Sequence, residues 1–168
     1  MPAIGSKFAE FWVAYRLRDF EPQVGKRRKK GSADIFLDRN SKRIEVKYST
    51  LRSVWKRKFG LRDCNWGWAF GKGNQFRARR FDFCVLVAGG NTGTPETCFV
   101  IPVEDFDDSM TKRKAVYPED VKSSYYAINL FRAPEDYNVW KQKVGECGLE
   151  EVLNKHRERY ENRWDLIR

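Results

Sequence analysis

Histidine is almost missing from this chain: His156 is the single one in 168 residues. It falls on the apolar side of the predicted last helix, which reads as a core or interface position, and a histidine-based zinc centre has no material. The cysteines are Cys64, Cys84, Cys98 and Cys147, and they form no CxxC pair and no ligand array. Cys84 and Cys98 lie inside apolar runs, which suits buried free thiols in a reducing compartment. No apolar run is long enough to cross a bilayer, and the start "MPAIGSKFAEF" has no basic stretch leading into an apolar one. A soluble, intracellular (cytoplasmic) chain with no signal peptide and no membrane partner is therefore expected. Repeats and low-complexity tracts are lacking too. The segment "GWAFGKGN" at 67–74 fails as a phosphate-binding loop, because three residues separate Gly67 from Gly71 and Gly73 stands where Ser or Thr would meet Mg²⁺. No nucleotide cofactor is expected.

What the chain does have is hydrophobic material (41%), aromatic rings (15%) and a net charge of +10. That length and composition suit one globular domain spanning 1–168. The positive charge is clustered in "GKRRKKGS" at 25–32, "RSVWKRKFGLR" at 52–62 and "GKGNQFRARR" at 71–80. Such clusters favour a polyanionic partner, and a merely well-solvated basic surface is the plain alternative. Aromatics interleaved with the cations favour nucleic acid, since rings stack on bases while Lys and Arg neutralise phosphates. Lys26, Arg27, Arg28, Lys29, Lys30, Lys72, Arg77, Arg79 and Arg80 are the expected nucleic-acid contacts. For 67–74 the functional reading is a DNA-contacting loop with aromatic tips, against an irregular connector.

Hydrophobic spacing predicts a first helix over "KFAEFWVAYRLRDF", with Phe8, Phe11, Trp12 and Tyr15 as its buried stripe. Its other side, Val13, Ala14 and Leu17, is also apolar and carries Glu10, for which solvent exposure is the default. A hairpin follows: strand 33–38, turn Arg39 to Lys42, strand 43–48. Residues 51–80 are ambiguous, with a helical "LRSVWKRKF" interrupted by later glycines. The run "FDFCVLVAGG" at 81–90 reads as a central strand, "TCFVIPV" at 97–103 as its neighbour, and "YYAINLF" as a final strand. A closing helix would place Leu149, Val152, Leu153, His156, Tyr160 and Ile167 on one face. The fold class expected is α/β (α+β), one mixed central sheet flanked by helices.

The hairpin raises the functional question. Residues i and i+2 of a strand share a face, so Glu45 and Lys47 project together. A centred turn at 39–42 sets Asp34 opposite Lys47 and Phe36 opposite Glu45, with all three charges on one side. Two carboxylates that close repel unless a cation sits between them. Mg²⁺ suits such a place: it takes one or two carboxylates, keeps waters and phosphate oxygens, and eases deprotonation of a bound water. Lys47 adds a charge able to hold the attacking water or stabilise the pentacovalent phosphorus. An ordinary cross-strand salt bridge on an exposed face is the bland reading of a bare ExK. Asp34 in register, apolar strands on both sides and an adjacent basic loop weigh against it.

Asp34, the turn and then "IEVK" resemble the PD-(D/E)xK nuclease superfamily, which includes many restriction endonucleases and archaeal Holliday junction resolvases. The order is similar as well: a helix with a glutamate, a hairpin with D and ExK, then an apolar strand. Ala33 departs from the nominal Pro. The resemblance covers residues 5–105, leaving the C-terminal strand and helix at 124–168 less typed. It implies a restriction-endonuclease-like fold, Mg²⁺ (or Mn²⁺) held by Asp34, Glu45 and the Val46 carbonyl, Lys47 as catalytic lysine, and Glu10 completing a second metal site. Gln75 is a looser match to a glutamine of some branches. The implied activity is metal-dependent endonucleolytic hydrolysis of DNA, with junction-resolving, restriction or homing, and repair roles all open. A homodimer is implied because two strands need two symmetric sites, and Trp164 with the last helix is the candidate interface. The alternative is a nucleic-acid-binding module on the same fold that does not cut.

Overall fold

In the computed structural model, residues 4–25, 33–71, 78–109, 113–114, 124–144 and 148–168 are described. Helix α1 (Ile4–Arg16) opens the chain, and its orientation reverses the expected one. Ala9, Val13, Ala14 and Leu17 are buried together with Glu10, whereas Phe8, Phe11 and Tyr15 face solvent and Trp12 is half-buried. Both sides of α1 are apolar, so periodicity cannot choose between them. The small and branched side lets the helix backbone lie close on the sheet, and packing selects it. A Cβ added at Gly5 would stand 2.6 Å from the Tyr48 ring, which shows how close that approach is.

Five strands form the main sheet in the order β1-β2-β3-β5-β6. They are β1 (Pro22–Val24), β2 (Ile35–Leu37), β3 (Lys42–Thr50), β5 (Phe83–Gly89) and β6 (Pro95–Pro102). The β3–β5 pair is parallel and the rest antiparallel, so the sheet is mixed. The apolar run at 81–90 is central, as its composition predicts, with β6 beside it. Between β3 and β5 lie α2 (Val54–Phe59), closed by Gly60 at φ +64, and then β4 (Asn65–Gly71).

β4 does not join the main sheet. It pairs with β8 (Ser124–Phe131), which also pairs with β7 (Arg113–Lys114), giving a second sheet in the order β4-β8-β7. The expectation of one sheet is thus corrected to two, and 67–71 is strand rather than a loop with aromatic tips. Trp66, Trp68 and Phe70 alternate along β4 and are buried, the period of a half-buried strand. The alternation of β5 explains how the layers stack. Cys84, Leu86 and Ala88 face the β4 and β8 side chains, while Val85 and Val87 pack with Ile44, Val46 and the buried side of α1.

Three helices complete the fold: α3 (Val103–Ser109), α4 (Pro134–Val144) and α5 (Gly148–Lys155). The single closing helix expected over 149–167 is instead α5 followed by short 3-10 turns at Arg157–Arg159 and Trp164–Ile167. Leu149, Leu153, Tyr160 and Ile167 are buried as expected, but His156 is exposed, not a core residue. Trp164 packs its ring 6.1 Å from that of Trp12 within the chain, so the residue expected at a dimer interface is half-buried internally.

Tyr48 ties α1 to the sheet. Its hydroxyl donates to the Gly93 carbonyl, and a Cβ at Gly89 would stand 2.5 Å from its oxygen and 2.9 Å from its ring. Gly89→Ala is expected to destabilise the protein by about 1–3 kcal/mol, because the ring must leave its bonded position. An unchanged midpoint in urea unfolding would contradict this.

Candidate active site

The hairpin turn occupies Asp38 to Ser41, one residue earlier than expected, with Ser41 in the left-handed region at φ 56. That moves the register by two: Ile35 pairs with Ile44 and Phe36 with Arg43. Phe36 therefore does not oppose Glu45, and Asp34 does not oppose Lys47. An even shift preserves the pleat, so the faces are as expected and only the partners change. Extended by one step, the register sets Asp34 level with Glu45. The contact follows from that position: Asp34 Oδ2 accepts the Val46 N–H at 2.9 Å.

This bond orients the strand edge. In an extended strand the N–H and C=O of one residue point to the same side. The Val46 carbonyl thus faces the edge where Asp34 sits, just past the end of β2. Glu45 and Lys47 share the face turned towards β4, with Lys47 Nζ 3.2 Å from Glu45 Oε1 and 5.8 Å from the centre of the Phe70 ring. Cys84, level with Glu45 on β5, is fully buried, and burial together with the Glu45 charge pushes its thiol well above the ordinary range.

Glu45 is only 7% exposed, and its pKa is pushed up to about 7. Burial is the main cause, followed by the charge of Asp34; Lys47 opposes both by charge and hydrogen bond, and Glu10 adds a further upward push. Glu10, buried on the inner side of α1, thus reaches the electrostatic neighbourhood of Glu45 rather than solvent. Between its unfolded value near 4.5 and its folded value near 7, Glu45 binds more proton in the folded state. Its favourable contribution is complete below the lower value and lost as pH rises through the upper one.

Glu45→Gln, which cannot ionise, is therefore expected to be more stable than the native protein at pH 8 by roughly 3 kcal/mol, with the gap closing towards pH 4. Chemical denaturation of both proteins across that range measures it. A gap independent of pH would refute the assignment.

Among the described residues no three His, Cys, Asp or Glu side chains are grouped as a ready-made metal cage. The donor set is smaller: the Asp34 and Glu45 carboxylates and the Val46 carbonyl. All are hard oxygens at one strand edge, and this set fits Mg²⁺ or Mn²⁺, which keep several waters. Of the expected DNA contacts, Arg79 and Arg80 are exposed just before β5. Lys26, Arg27, Arg28, Lys29, Lys30, Lys72, Arg77 and also Gln75 lie outside the described residues. Sequence reasoning missed the Phe70 ring over Lys47, although the Trp66-Trp68-Phe70 alternation signals a strand.

The fold and site define a mixed α/β protein with an acidic and lysine cluster on the inner hairpin strand. No protein-family model matches the chain, and no curated protein matches it. Among the described residues no helix is long and apolar enough to cross a membrane.

Proposed function

We propose that the protein is a metal-dependent DNA endonuclease of the PD-(D/E)xK type. The observation that carries this reading is the coincidence at one strand edge of Asp34 bonded to the Val46 N–H and Lys47 paired with Glu45. Asp34, Glu45 and the Val46 carbonyl would hold Mg²⁺ or Mn²⁺, and the bound cation supplies a Lewis-acidic charge that eases water deprotonation and offsets phosphate charge. Lys47 has three N–H donors and uses one on Glu45, so the others can orient a water and a non-bridging phosphate oxygen. Asp34 fixes the strand edge through Val46 and so positions both. Glu10 adds negative charge on the α1 side, which favours a second cation. Hydrolysis of both strands of a duplex would bring two copies together about a symmetry axis.

The binding part of this reading has a test apart from activity. At pH 8, millimolar Mg²⁺ is expected to raise the melting temperature of the native protein and not that of Glu45→Gln, since a ligand stabilises only the form that binds it. Equal shifts in both would remove Glu45 from the cation site. For activity, a panel of plasmid, single-stranded, flap and four-way-junction DNAs with Mg²⁺ or Mn²⁺ decides. Binding without cutting of any substrate would leave the non-cleaving module.

A further inference from the structure

The helix that brings Glu10 to the site carries a second surface on its opposite side. Lys7, Phe8, Phe11, Tyr15, Arg16 and Arg18 are all exposed there, with Phe8 at 49%, Phe11 at 61% and Tyr15 at 65%. At about 100° of turn per residue, the three rings fall in one narrow stripe, flanked by Lys7 and Arg18 on one side and Arg16 on the other. Arg18 lies 4.8 Å from the centre of the Tyr15 ring and donates to the Tyr15 carbonyl at 3.2 Å, so that ring is held in place. Glu10 is the one acidic residue of α1 and it points inward. The outward face of α1 is therefore aromatic at its centre and carries only cations, Lys7 and Arg16, at its rims, with Arg18 and the exposed Asp19 in the 3-10 turn just beyond it.

We propose that this face stacks unpaired nucleotide bases, so that the substrate of the site is DNA with a single-stranded segment beside the phosphate to be cut; this rests on the nuclease reading above. Rings stack on bases whatever the sequence, and flanking cations meet the phosphates of the same strand. A duplex hides its base faces and cannot use the rings. A second copy of the chain is the wrong partner for this particular face, because two such faces would set their cationic rims together. The position also fits: the α1 diameter of about 10 Å separates the stripe from Glu10, roughly the rise of three stacked nucleotides.

The experiment compares the native protein with Phe11→Ser/Tyr15→Ser by fluorescence anisotropy, in EDTA, using an oligothymidylate of roughly 20 nucleotides and a duplex of equal length. Both positions are exposed, and thermal melting verifies that the variant folds. The expected result is a loss of about tenfold or more on oligothymidylate, with duplex binding within a factor of about two. Equal losses on both DNAs, or none on oligothymidylate, would overturn the proposal. So would a native dimer that the variant turns into a monomer in sedimentation, or a loss confined to phosphatidylserine vesicles. Failure of the nuclease reading is seen separately, as no cutting by the native protein with Mg²⁺ or Mn²⁺, since the binding contrast is measured without metal.

Discussion

On the nuclease reading, replacing Glu45 by Ala is expected to lower Mg²⁺-dependent cleavage by on the order of 1,000-fold or more while the protein becomes more resistant to heat at pH 8. The two effects have one origin. A carboxylate held in a buried place beside Asp34, with its pKa pushed up to about 7, is costly to ionise unless a cation is present. Removing it relieves that cost and also removes a ligand. An active site commonly carries such strain at the expense of stability. Lys47→Ala is expected to lose about 100- to 1,000-fold in rate without the gain in stability, because it leaves Glu45 with Asp34 and no counter-charge. Gel assays of plasmid nicking and calorimetric melting on the same preparations check both statements. Undiminished cutting by either variant would move the chemistry elsewhere.

The second large effect concerns stability alone. Strand β8 pairs with β4 along one side, but at Asn129 and Phe131 its other edge is met by a helix rather than a strand. Glu150 and Asn154 lie one turn apart on α5 and present their side chains to that edge. Glu150, which is fully buried, accepts the Asn129 N–H at 2.8 Å and the Trp140 indole N–H at 3.0 Å. Asn154 accepts the Phe131 N–H at 3.0 Å and donates to the Asn129 carbonyl at 2.9 Å, as the backbone of a neighbouring strand would.

Glu150→Ala would leave both donors buried without that acceptor. The expected loss is about 3–5 kcal/mol, or a fall in melting temperature of roughly 10 °C for a chain of this size. Urea unfolding of the two proteins measures it. A loss below about 1 kcal/mol would mean that water or a neighbouring side chain takes over the donors.

Much of the site is legible in the sequence because the property that matters, which face a side chain occupies, depends only on parity. Moving the hairpin register by two residues changed every partner and no face, so Asp34, Glu45 and Lys47 still gather. The orientation of α1 was not legible in this way. Phe8, Phe11 and Tyr15 form as regular a stripe as Ala9, Val13 and Leu17, and only the close approach to β3 and Tyr48 decides which is buried. The second sheet was hidden for another reason. Gly67 and Gly71 read as loop punctuation, whereas at Gly67 the strand interior needs a small residue: a Cβ there would stand 3.0 Å from Asn129 Oδ1. Glu150 and Asn154 carry no signal of their role, since no local pattern shows that a sheet edge will be brought against them.

The lengths of two neighbouring strands set the extent of the candidate site. β2 ends after three residues, while β3 runs for nine. Had β2 begun two residues earlier, its backbone would take the Val46 N–H and carbonyl into an ordinary ladder, and Asp34 would have nothing at that edge to hold. The opening at the rim is therefore a matter of chain economy. A chain whose residues just before Asp34 continued β2 would close that edge without altering a single charged residue.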